Sequence, residues 1–269
     1  MALVPLVRLG WTTAGTPLVV ALAGALPALA YAAAIGWAAR ARRVPVSVQA
    51  AAFAFVWGAG AAAPGAGAVN DLLLAHADGP VVAVGAAPLV EELVKAGVLL
   101  GIALLWRDEL RCVRAGIVAG ALAGMGFALT ENLRYLLMAA LQGGSVGLLR
   151  WVWVRGVVEG GVHAVFAAAT GAGLGYARAS GRPRAVLAGG GAAVVQHVAW
   201  NGLASRAVTH VLCNPVVADG PCRAAPDAVG LVVTIPLIVL AALGPGALAV
   251  AAIARRSGSD GMRVPSHPA

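Results

Sequence analysis

The chain has 269 residues, 60% of them hydrophobic and only 11% charged, with a mean hydropathy of +0.86. A soluble domain clothes its surface with about a quarter charged residues, so a water-facing enzyme is excluded and an integral membrane protein is expected. The formal charge of +8 comes from 19 basic residues against 11 acids, and basic residues flanking apolar spans are topology signals, so nucleic acid is not expected as a partner.

Apolar stretches of membrane-crossing length predict an all-α polytopic helical bundle of about seven transmembrane helices. The first span is expected from about Pro17 to Ala39, followed by Arg40, Arg42 and Arg43. Arg8 and the Ala28-Leu29-Ala30 triplet resemble a signal peptide, but the apolar run continues past them to full membrane thickness, favouring a retained helix. The second span, about Val44 to Ala63, is expected to break at Pro64-Gly65 and give way to a loop with Asn70, Asp71, His76 and Asp78. The third runs from about Pro80 to Trp106 and the fourth from about Ala115 to Leu141, where Gly143-Gly144 should end it. The fifth lies between Trp151 and Tyr176, the sixth from about Ala185 to Ser205, and the seventh from about Val229 to Ala254.

Arginines gather in alternate connectors: first to second, third to fourth, fifth to sixth, and the tail with Arg255, Arg256 and Arg263. Those sides read as cytoplasmic, which places the N-terminus outside and the C-terminus inside. The connector with Cys213 and Cys222 then lies outside, where an oxidising compartment permits a disulfide between them. Trp11, Trp106, Trp151 and Trp153 read as interfacial anchors. Gly97/Gly101, Gly120/Gly124, Gly156/Gly160 and Gly171/Gly175 are small residues four apart, expected to let neighbouring helices approach in lipid. No linker or repeat divides the chain, so residues 1–269 read as one membrane domain.

Ionisable side chains near the bilayer centre cost about 2.5–3.5 kcal/mol each, which makes each a functional candidate. The third span holds Glu91, Glu92 and Lys95, the protein's single lysine; the fourth holds Glu131 and Asn132; the fifth Arg155, Glu159 and His163; the sixth His197 and Asn201. At about 1.5 Å rise per residue, Glu91, Glu131, His163 and His197 all fall some 12–18 Å below the outer face. Residues three or four apart share a helix face, so Glu91 or Glu92 can pair with Lys95, His197 aligns with Asn201, and Arg155, Glu159 and His163 form a stripe. Glu91 and Glu92 point about 100° apart, so only one is expected to address the centre of a shared site directly.

In order, Glu91 to Lys95 reads EExxK, Phe127 to Asn132 reads FxxxEN, His163 stands in the next span, and His197 to Asn201 reads HxxxN. This set resembles the PrsW family of intramembrane proteases and, more distantly, the CAAX prenyl endopeptidases with EExxxR, FxxxH and HxxxN on successive helices. The motif-bearing core covers about residues 81–205. Glu131 stands where the CAAX-type pattern has a histidine, and Lys95 replaces an arginine one residue further on. The resemblance implies that Glu91 activates water with Glu131, that His197 and Asn201 stabilise the oxyanion, and that Lys95 orients the glutamates. By their spacing Arg155 and Glu159 are expected to pair and support His163, and Asn132 to support the site beside Glu131. The resemblance also implies a single-pass membrane protein substrate of the anti-sigma-factor kind and a location in the bacterial plasma membrane; the depth of the polar cluster in the outer half places the expected cut near the outer face.

The residues themselves offer the parts of peptide hydrolysis: a base for water, an acid, and donors for the oxyanion. Of two neighbouring carboxylates in a low-dielectric site, one tends to keep its proton. His163, His197 and a glutamate, with Glu131 as the candidate, could also hold a catalytic zinc with two imidazoles and one carboxylate. The HExxH spacing that places two ligands and a base on one helix is absent, and a metal-free glutamate mechanism stays open. Two other classes remain beside the protease: a proton-coupled transporter, since Glu and His chains make proton relays, and a non-catalytic membrane scaffold. A transporter would distribute its charges along a path and show inverted repeats, and the sequence shows neither.

Overall fold

The computed structural model describes residues 16–152, 155–156 and 160–212. The expected seventh span, the Cys213–Cys222 pair and Glu159 lie outside the described residues. All regular structure among those described is helical: α1 (Thr16–Ala41), α2 (Val48–Leu74), α3 (79–105), α4 (Val113–Trp151), α5 (Val162–Ser180) and α6 (Arg184–Leu212). In a bilayer a helix satisfies its own backbone groups, which is why so apolar a chain resolves into long rods.

Three helical stretches, Leu18–Ala41, Val48–Leu74 and Val113–Leu141, are long and apolar enough to cross a membrane. α4 is the centre of the bundle, with 78% of its apolar window buried against 17% for α1. It packs against α1, α2 and α5, while α6 leans on α5 and on α3. Leu18, Leu22, Trp37, Leu93, Leu104 and Leu187 point outward, as lipid-facing side chains do.

Several boundaries differ from the sequence expectation. Gly143-Gly144 does not end α4, which runs on to Trp151. A mid-helix glycine costs only about 1 kcal/mol relative to alanine, too little to break a helix that has no water to take up its backbone groups. The fifth helix begins at Val162 instead of Trp151, after a turn at Gly160-Gly161. Arg155 therefore lies before the helix that carries His163, and the expected Arg155–His163 stripe on one face does not exist. α6 extends to Leu212, beyond the expected Ser205.

The largest correction is at Pro64, where α2 continues ten residues further to Leu74. Residues Gly58–Ala62 form a π turn, in which the Ala63 N–H bonds the Gly58 carbonyl. The wider turn carries the proline ring past the backbone it would otherwise strike. It also leaves the Ala59 carbonyl facing Pro64, which has no N–H to give, and the Thr130 hydroxyl of α4 donates to that carbonyl at 2.8 Å. α3 repeats the device. Its π turn Val82–Ala86 precedes Pro88, and the orphaned Ala83 carbonyl accepts from Asn201 Nδ2 of α6 at 2.8 Å. In lipid a freed carbonyl needs such a partner from a neighbouring helix.

The glycine pairs divide. Gly120/Gly124 and Gly171/Gly175 line the α4–α5 contact, where added side-chain atoms would strike the opposite backbone. Gly97 and Gly101 meet only the Trp57 and Phe53 rings, at 3.6 and 3.9 Å, and bring no backbones together. Gly124 bears on the polar cluster, because a Cβ there would collide with the backbone carbonyl of His163. Gly124→Ala should therefore lower stability by about 1–3 kcal/mol through overpacking, read as thermal unfolding in detergent. An unchanged melting temperature would contradict so close a crossing.

At the end of the bundle away from Asn70, the connectors are pinned together. Ser47 caps α2 through its Oγ, and its N–H donates to both carboxylate oxygens of Glu109 at 3.2 Å. Arg178 of α5 donates to the Arg107 carbonyl at 2.6 Å.

Candidate active site

α3 enters the bundle with Glu91, Glu92 and Lys95 on its inner side, and Lys95 is 1% exposed. An ammonium so deep must be paired, and its Nζ donates to Glu92 Oε1 at 2.7 Å and lies 3.8 Å from Glu91 Oε2. It also sits 3.9 Å from the centroid of the Phe127 ring, so the first residue of FxxxEN supplies a π face to the lysine. Its remaining contact is His163 Nδ1, at 3.0 Å.

These contacts fix the imidazole tautomers. An ammonium can only donate, so His163 Nδ1 accepts from Lys95 and the proton of the neutral ring is on Nε2. That N–H donates to Glu131 Oε2 at 2.7 Å, and the same oxygen accepts from Arg155 Nη2. A carboxylate can only accept, so His197 Nδ1–H donates to Glu92 Oε1 at 2.9 Å. His197 Nε2 then presents a lone pair, 3.7 Å from Glu91 Oε2.

The two rings lie 5.2 Å apart at 81°, and Phe166, one turn after His163, stacks on His197 at 4.6 Å. Four helices, α3 to α6, thus bring Glu91, Glu92, Lys95, His163 and His197, all buried, and the half-buried Glu131 into one cluster. Both glutamates of the EE pair reach His197. The expectation that only one could address the centre fails because an imidazole carries a nitrogen on each side and spans the angle between them.

The remaining candidates support this cluster from its edge. Arg155 joins it through Glu131, and its guanidinium lies 4.1 Å from the Tyr135 ring centroid. Tyr135 in turn stacks on Trp151 at 5.7 Å. Asn132 Nδ2 donates to the Arg155 carbonyl at 3.3 Å and so holds that segment against α4. Asn201 lies one turn beyond His197, and its Nδ2 goes to the Ala83 carbonyl described above.

Asn70 was read as a loop residue, yet it sits on the last turns of α2, and its Nδ2 donates to Glu91 Oε1 at 3.3 Å. The signal for it was the spacing: six residues beyond Pro64, it becomes visible only if the helix survives the proline. Phe166 was legible as the residue three after His163 on the same face.

One ligand atom each from Glu91, His163 and His197 lies within 4.8 Å of the others, and all three residues are buried. The donor set is of the two-histidine, one-carboxylate kind, and a divalent metal there would take the His163 Nδ1 lone pair in place of Lys95 Nζ, which donates to it at 3.0 Å. Each imidazole gives its far N–H to a carboxylate, Glu131 for His163 and Glu92 for His197, as zinc-binding histidines do. Glu91 Oε2 is buried without a hydrogen-bond partner among the described residues. The carboxylate grouped with the two imidazoles is Glu91; Glu131, the expected ligand, accepts from Arg155 and from the His163 N–H.

The model of one protein family, described as PrsW family intramembrane metalloprotease, matches residues 46–241, a range that contains every residue of the cluster. No curated protein and no solved structure matches the chain.

Proposed function

The chain belongs to the PrsW family of intramembrane metalloproteases, and from that premise we propose that it cuts a single-pass membrane protein of the anti-sigma-factor kind near the outer face. Membership makes it a hydrolase of peptide bonds acting in the membrane. The single observation that carries the assignment of the site is Glu91 Oε2, buried, without a hydrogen-bond partner among the described residues, and facing His197.

We assign Glu91 the activation of the attacking water in a metal-free site, where its Oε2, 3.7 Å from His197 Nε2 and 3.8 Å from Lys95 Nζ, would accept the proton. With a divalent metal in place the same oxygen would be a ligand and the metal would activate the water. Glu92 and Glu131 hold the two imidazoles by their far nitrogens. A divalent metal held by Glu91, His163 and His197 would supply Lewis-acid polarisation of the scissile carbonyl. His197 Nε2 offers a lone pair and Asn201 Nδ2 serves the Ala83 carbonyl, an arrangement that argues against these two as the oxyanion donors. Lys95, a cation touching a glutamate and an imidazole of the cluster, is the donor we assign to the developing negative charge.

The wider architecture we propose is one membrane domain of about seven spans in the bacterial plasma membrane, with the N-terminus outside, the C-terminus cytoplasmic and the core at about residues 81–205. The alternate arginine-rich connectors support that orientation. A Cys213–Cys222 disulfide belongs to the same proposal, on the outer side.

Purified protein should carry about one equivalent of zinc, and His163→Ala and His197→Ala should each remove most of it. Active protein with less than about a tenth of an equivalent would contradict the metal set and leave glutamate chemistry alone. Liposomes holding the protein should show no proton flux above empty ones, and a steady flux would move the function to the transporter class.

A further inference from the structure

We infer that Asn70 is a positioning residue for Glu91, a part of the site outside the motif-bearing helices. This rests on the role proposed for Glu91. Asn70 Nδ2 donates to Glu91 Oε1 at 3.3 Å, the contact an ionised Glu91, which can only accept, makes with the amide. With Oε1 held from α2, the oxygen left for chemistry is Oε2, which faces His197 Nε2 at 3.7 Å and Lys95 Nζ at 3.8 Å. Asn70 thereby selects which carboxylate oxygen meets the imidazole.

The fold is arranged to deliver that amide. Asn70 reaches α3 only because α2 passes Pro64 through the π turn Gly58–Ala62, and the carbonyl that Pro64 orphans is capped by Thr130, the neighbour of Glu131. The next residue, Asp71, pairs with Arg134 of α4 at 2.7 Å, so the end of α2 is fixed to α3 and α4 by two consecutive side chains. Asn70 Oδ1 is buried and has no hydrogen-bond partner among the described residues.

The test compares Asn70→Leu, close in volume but without a donor, with Asn70→Gln, larger but still a donor, and with Glu91→Gln. Three quantities are read on each full-length protein: the yield of new N-termini in membranes, Zn²⁺ affinity by competition with a chromophoric chelator, and the melting temperature in detergent. Loss of a partner that orients a ligand weakens metal affinity or activity about 10- to 100-fold. Asn70→Leu should therefore fall at least about tenfold in cleavage and in Zn²⁺ affinity at a wild-type melting temperature, with Asn70→Gln recovering most of both. A packing role predicts the reverse order, Leu tolerated and Gln not, and that order would overturn the inference, as would a loss that tracks melting temperature. If Asn70→Leu matches wild type while Glu91→Gln loses both readouts, Asn70 is dismissed and the role of Glu91 stands. If Glu91→Gln also matches wild type, the assignment of Glu91 fails and carries Asn70 with it.

Discussion

Lys95→Met should destabilise the protein by about 3–5 kcal/mol, the cost of stranding a buried charge by removing its partner. Glu92 is 2% exposed and Lys95 1% exposed, and their pair at 2.7 Å lies in the middle of four helices. Methionine fills most of the space but leaves Glu92 with His197 as its one remaining donor among the described residues and removes the cation over Phe127. The double variant Lys95→Met/Glu92→Gln removes both charges and should recover a large part of the loss, since replacing a buried pair entire is often close to neutral. Thermal or denaturant unfolding in detergent measures both. A single variant as stable as wild type would mean that the pair is not buried as described.

Glu91→Gln should lower cleavage by about a thousandfold, within the range for loss of a positioned proton acceptor, while leaving the fold intact. The two adjacent glutamates thus separate in their effects. Glu92 is tied into architecture by Lys95 and His197, so Glu92→Gln should reduce stability and activity together. Glu91 lies 3.8 Å from Lys95, and the Asn70 amide is the donor within hydrogen-bond distance of it, so an isosteric amide can keep that contact through its own oxygen. Melting temperature and cleavage rate on matched preparations test the split. Equal destabilisation by both substitutions would contradict it.

Much of the site was legible because a bilayer penalises every ionisable residue, so Glu91, Lys95, Glu131, His163 and His197 stood out against an apolar chain. Rise per residue predicted one level for Glu91, Glu131, His163 and His197, and the structure joins these four with Lys95 in one cluster. What the pattern could not supply was rotation and pairing. Arg155 was placed on the helix of His163; a turn at Gly160-Gly161 comes before that helix, and Arg155 reaches Glu131 instead. The end of α2 was misread for a local reason. Pro64-Gly65 is a strong breaker in water, but a π turn and the Thr130 hydroxyl together absorb it, and neither is visible without the neighbouring helix. Asn201 was placed with His197 by shared face, and its amide is instead taken by the carbonyl that Pro88 leaves open.

The central claim, an intramembrane endopeptidase working through Glu91, is tested most directly by comparing new protein N-termini in membranes of cells making wild-type or Glu91→Gln protein at matched levels. The account predicts a small set of termini just outside a transmembrane segment of single-pass proteins, present with wild type and absent with Glu91→Gln. Identical profiles at high coverage would contradict it.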